Sequence, residues 1–173
     1  MSAAHVIAAT AGAVLLGGCT AAATQTPPVL SPPVPAAAAP AAPGIRVLDG
    51  AALEQLKANA GVTLQWISWR QRGHAFVRAE DGQMRLSAVQ GEVDGPGQLT
   101  LEGRVTEIGR DYFVFAGQIA ISDVPDRGRR CVATRDNWRF AVTQNRPYWR
   151  LRDFEWCDGL TDYIDIYHPG TRP

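Results

Sequence analysis

Between Leu99 and Ile121 apolar residues recur at every second position on both sides of the turn-forming triplet Gly109-Arg110-Asp111. A period of two sends alternate side chains to opposite faces of a strand. Where one face of a sheet is buried, paired strands must match apolar with apolar, so the pattern sets the register. A register centred on Arg110 places Leu99 opposite Ile121, Leu101 opposite Ile119, Gly103 opposite Gly117 and Val105 opposite Phe115. A shift by one residue mixes apolar with polar throughout. The facing glycines strip one spot of the inner face of side chains, and there the sheet is expected to bend or to admit something.

The same test succeeds at Asp81-Gly82, a dipeptide suited to a two-residue hairpin turn. It pairs Ala79 with Met84, Val77 with Leu86 and Ala75 with Ala88 on the inner face. His74, Phe76 and Arg78 then share the outer face with Arg85, Ser87 and Val89, and Arg78 stands opposite Arg85 at a small like-charge cost. Further strand patterns are Thr63 to Trp69, Trp138-Phe140-Val142, Tyr148 to Glu155, and Ile164 with Ile166. One helix is expected. Asp49 is its N-cap, Leu53, Leu56 and Ala60 form its apolar stripe, and Gly61 takes the left-handed position after its end. The expected class is mainly β: a small antiparallel barrel or strongly coiled sheet of about eight or nine strands, with one short N-terminal helix packed on it. The pattern does not choose between barrel and sandwich.

All 17 basic and all 17 acidic residues lie beyond position 44. The neutral balance argues against a nucleic-acid binder, and 129 residues suit one domain, 45–173. Residues 20 to 44 hold seven prolines with no charged or aromatic side chain. Such a stretch cannot bury a core; it samples polyproline II and reaches about 75 Å at full extension. It reads as a disordered Pro/Ala-rich linker. Val6 to Gly18 is apolar, uncharged and too short to span a bilayer, which marks an export signal, although Met1 to His5 lacks the usual Lys or Arg.

The apolar run closes on Leu15-Leu16-Gly17-Gly18-Cys19, which resembles the lipobox of bacterial lipoproteins. The resemblance implies a cleaved signal peptide over 1–18 and a lipid on Cys19, the first residue of the linker 19–44. Several acyl chains on one residue give stable attachment. By the same resemblance, Thr20 in place of an Asp favours the outer over the inner membrane, with the domain facing the periplasm. Cys131 and Cys157 remain, and in an exported domain two cysteines are expected to form a disulfide. A redox pair or two free buried thiols are the competing readings.

Catalytic motifs are missing. Beyond Cys19 the only histidines are His74 and His168, with no nucleophile elbow, zinc spacing or phosphate-cradling glycine loop, so no catalytic residue, cofactor or metal is expected. Glu102 and Glu107 read as surface charge. Asp158, Asp162 and Asp165 offer oxygen ligands to a hard cation, but read better as a turn at Asp158-Gly159 and an exposed strand face. Arg127, Arg129 and Arg130 read as a wet basic loop. With Trp149 and Leu151 directed to the core, Tyr148, Arg150, Arg152, Phe154 and Trp156 share an outer face, and interleaved Arg and aromatic residues suit recognition. Their blander role is to stack over a sheet and pair with Asp162 or Asp165. The expected function is therefore that of an envelope lipoprotein whose domain binds a partner protein or envelope polymer. The alternative is a carrier of a small apolar ligand in a barrel interior, opened by the Gly103/Gly117 gap.

Overall fold

The computed structural model describes residues 44–172. The expected signal peptide, the expected lipidation at Cys19 and the expected linker up to Pro43 lie outside the described residues. The chain runs β1 (Arg46–Val47), α1 (Gly50–Lys57), β2 (Val62–Leu64), β3 (His74–Glu80), β4 (Gln83–Gly91), β5 (Gln98–Gly109), β6 (Tyr112–Ser122), β7 (Arg130–Ala141), β8 (Tyr148–Leu151) and β9 (Ile164–Tyr167). One sheet contains every strand, in the order β2-β9-β8-β7-β6-β5-β4-β3. Its two end strands approach at a single bridge, Val62 to Gly73, so eight antiparallel strands form a nearly closed barrel. β1 lies outside this path, parallel to β5 at Glu107 and Ile108.

The hairpin registers are those the alternation requires. Val77 faces Leu86 and Ala75 faces Ala88, across a turn in which Asp81 and Gly82 both have positive φ. This is the turn handedness that matches strand twist. Leu99, Leu101, Gly103 and Val105 face Ile121, Ile119, Gly117 and Phe115. Beyond Val105 the register changes: a bulge at Thr106 makes Glu107 face Val114 and Gly109 face Tyr112, so the turn is the pair Arg110-Asp111 instead of a triplet. A bulge adds one residue to one strand and sharpens its twist, and alternation alone does not reveal it.

The glycine pair brings strands together and opens no gap. A Cβ on Gly103 would lie 2.2 Å from the Ala116 carbonyl oxygen, and one on Gly117 would lie 2.6 Å from the Phe115 ring. That ring occupies the space the glycines leave. Trp138, Trp149, Phe113, Phe115 and Phe140 are fully buried, and Phe113 stacks on Phe140 at 4.8 Å. Aromatic side chains therefore fill the interior.

Asp49 caps α1, accepting from the Ala52 amide at 2.9 Å. Buried Ala52 and Leu56 lie on the side of α1 that meets β3 and β5. The helix differs from expectation in its place in the chain and at its C-terminal end. β1 precedes it, so it is not the first element, and it stops at Lys57 because Asn59 takes over. The Asn59 amide donates to Leu56 and Ala75 carbonyls, and its oxygen accepts from the Gly61 amide. Gly61, at φ +98°, instead lies just before β2, where a side chain would strike the Gly73 carbonyl at 2.3 Å.

Two strands are shorter than their patterns. β2 ends at Leu64, where Ile67 and Ser68 fold back to donate to the Leu64 carbonyl. β8 ends at Leu151, and Arg152 donates to the Arg139 carbonyl. β7 is longer than its pattern, running back from Trp138 to Arg130 beside β6. Cys131 and Cys157 form the expected disulfide, which ties β7 to the chain after β8.

Candidate recognition surface

On the side of β2, β9 and β8 facing away from the core, Thr63, Asp165 and Arg150 stand in one lateral row. Alternation predicts an exposed row, yet Thr63 and Asp165 are fully buried. This corrects the reading of Asp165 as an exposed strand position. Arg150 covers it with a fork of two bonds, Nε and Nη2 each donating at 2.7 Å to one carboxylate oxygen. Burial pushes the Asp165 carboxyl up, and the guanidinium pulls it back. The bonds it donates to Asp165 raise Arg150 in turn, holding it as a cation.

Aromatic rings surround this guanidinium. Its carbon lies 4.2 Å from the Tyr163 centroid, 5.1 Å from Tyr148 and 5.5 Å from Trp69. Trp69 is 42% exposed. The layer continues through Tyr163, whose ring meets Phe154 edge-on at 5.4 Å, to Arg152, which lies 5.1 Å over Phe154. Four of the five residues expected to share a face, Tyr148, Arg150, Arg152 and Phe154, are thus joined. They are joined by stacking, not by one extended strand: the strand ends at Leu151, and the loop after it carries Phe154 back against Tyr163.

Trp156 departs from this face. It packs edge-on against Trp138 at 5.5 Å with its indole N–H enclosed. Even so, Arg152, Phe154 and Trp156 line one open groove of about 350 Å³, together with Arg135, Asp153 and Glu155. Trp69 and Tyr163 are the members that sequence reasoning missed. Trp69 closes the Thr63 to Trp69 strand pattern but lies beyond the end of β2, and Tyr163 lies just before β9, so alternation brings neither to Arg150.

A second ion-pair centre holds the loop that carries Phe154. Arg129 donates to both oxygens of Asp158 at 2.8 Å and to both oxygens of Asp162 at 3.0 Å. Asp162 is fully buried, also accepts from the Trp66 indole at 2.9 Å, and through its amide binds the Phe154 carbonyl at 2.7 Å. The Arg129 side chain is only 6% exposed, which corrects its reading as part of a wet loop. Asp158 and Asp162 are committed to Arg129 and Asp165 to Arg150, so the three form no cation site. Cys131, Cys157 and Asp158 converge, but the disulfide consumes both sulfurs. Glu102 is exposed on its strand, whereas Glu107 pairs with Arg46 at 3.1 Å and accepts from the Tyr112 hydroxyl.

The model of the PM1083 family matches residues 44–168, which take in every strand of the barrel. No curated protein and no solved structure matches the chain.

Proposed function

The chain belongs to the PM1083 family by its barrel, and for that barrel and the segment before it we propose a lipid-anchored protein of the bacterial envelope, outer membrane before inner, whose barrel binds a partner protein or envelope polymer without catalysis. The lipobox Leu16-Gly17-Gly18-Cys19 supports the anchor, and the proline-rich segment after it supports a tether.

The observation carrying the binding reading is the fixed Arg150 beneath an exposed Trp69. A buried ion pair adds little stability compared with apolar side chains of the same size, so its value lies in orientation. Asp165 locks the guanidinium, Tyr163 and Tyr148 bracket it, and the aromatic layer on top needs no ordering when a partner arrives. Rigid Arg and aromatic anchors of this kind dominate binding energies at recognition surfaces.

The test is photo-crosslinking of the full-length chain in envelope fractions, with a photoreactive residue beside Trp69. We expect a discrete adduct, and a Trp69→Ala/Arg152→Ala variant with the parent's circular dichroism should lose at least about tenfold of it, since anchor residues are each worth more than 1 kcal/mol. An adduct of undiminished yield in that variant would overturn the assignment of this face.

A further inference from the structure

The groove beside Arg152 is bounded by a loop that is fastened to β7 at both ends. At one end the Arg152 amide donates to the Arg139 carbonyl at 2.8 Å, and at the other the Cys131–Cys157 disulfide holds its two Cα atoms 5.8 Å apart. Among the described residues β7 has no strand partner between these points on that side, since its pairing with β8 covers only Phe140 and Ala141. A strand added to a sheet edge needs about 4.8 Å of free space along that edge. The fastened loop denies it, so a peptide cannot enter here by extending the sheet. A helix suits the groove no better, because helices dock through an apolar face and four of the six lining residues are charged.

Those charges are two of each sign. Arg135 and Arg152 stand against Asp153 and Glu155, and Arg135 lies 4.0 Å from Asp153 with both side chains partly exposed. An anion or a cation entering the groove therefore meets two groups of its own sign. The rest of the lining is hydrocarbon. Phe154 is half-buried, and Trp156 has its indole N–H enclosed, so what its ring shows to the groove is carbon. Rings also steady both cations: the Arg152 guanidinium lies 5.1 Å from the Phe154 centroid and that of Arg135 lies 4.3 Å from Trp138.

We propose that the groove binds an uncharged stretch of polysaccharide built from acetamido sugars, an assignment that rests on the recognition reading above and names the polymer for it. A sugar hydroxyl is donor and acceptor at once, so one hydroxyl can donate to Asp153 while it accepts from Arg135. The acetamido N–H and carbonyl divide in the same way between a carboxylate and a guanidinium. Hydrogen bonds to charged groups are the stronger kind, and a ligand without charge takes them from both signs without repulsion. The C–H face of a pyranose ring lies against the carbon that Phe154 and Trp156 present. Apolar walls with a few placed polar groups are what small-ligand sites use for affinity and orientation. Beyond the groove the ring surface continues from Phe154 through Tyr163 and Arg150 to the exposed Trp69. A polymer thus has a track to follow where a single sugar would not.

The test is calorimetric titration of the full-length chain with chitohexaose, an uncharged oligomer of N-acetylglucosamine. We expect saturable binding that changes less than about twofold between about 0.05 and 0.5 M salt, since the ligand carries no charge to screen. Asp153→Ala/Phe154→Ala should weaken it at least about tenfold, as loss of recognition anchors does. Asp153 is exposed and stands outside the Arg129 centre, so Asp153→Ala alone keeps the test if the double variant misfolds, with binding weakened about threefold by the lost hydrogen bond. The fully deacetylated oligomer is cationic and should bind at least about tenfold more weakly than its acetylated parent, because Arg135 and Arg152 repel it. No saturable binding of chitohexaose, binding equal in the variants, or preference for the deacetylated oligomer overturns the glycan assignment. The crosslink beside Trp69 is read separately: an adduct there without chitohexaose binding keeps the face, makes its partner a protein and overturns the glycan alone.

Discussion

Asp158 and Asp162 grip one guanidinium from opposite environments, one half-exposed and one fully buried. Arg129 draws the Asp158 carboxyl from its ordinary 3.8 down to about 2. A carboxyl depressed in the folded state stabilises that state above its unfolded pKa, and the contribution fades as pH falls through the folded value. The window is therefore pH 4 down to about 2. Equilibrium unfolding across that range should show a shallower loss of stability for Asp158→Asn than for the parent, and equal slopes would mean that the pair does no such tuning. Asp162 shows how a single residue escapes sequence reasoning. An Asp between turns reads as wet, and only the packing of Trp66 and Arg129 against it makes burial tolerable.

At the scale of elements, the two hairpins were legible because one buried face forces one register, and the pairs Val77–Leu86 and Leu101–Ile119 follow from it. Gly103 and Gly117 were legible as special positions but not in their effect, since Phe115 reaches over them from the neighbouring pair. Gly103→Ala should cost roughly 2–4 kcal/mol in urea unfolding, because its methyl meets backbone that cannot retreat; a variant as stable as the parent would show the strands free to part. The disulfide links elements whose own pairing is short, β7 and β8 sharing only Phe140–Leu151 and Ala141–Arg150. Closing a loop of 26 residues contributes roughly 3 kcal/mol. Cys157→Ser should lose about that much, and a reductant added to the parent should reproduce the loss.

For the molecule as a whole, the proposed address rests on a part of the chain separate from the barrel. If Cys19 carries the lipid, labelled palmitate enters the parent and not Cys19→Ser, and the variant leaves the membrane fraction; palmitate in both, or in neither, contradicts the anchor. The sequence by itself determined the strand-rich class, the helix cap at Asp49, the register of the first hairpin, that of the second as far as Val105, and the cysteine pair, since each depends on neighbours along the chain, on face matching, or on counting. The near closure of the barrel through Val62 and Gly73, the burial of Asp162 and Asp165, and the joining of Trp69 and Tyr163 to Arg150 were decided only by the tertiary structure. Each requires residues distant in sequence to meet, and no local period records which side chains a curved sheet will bring together.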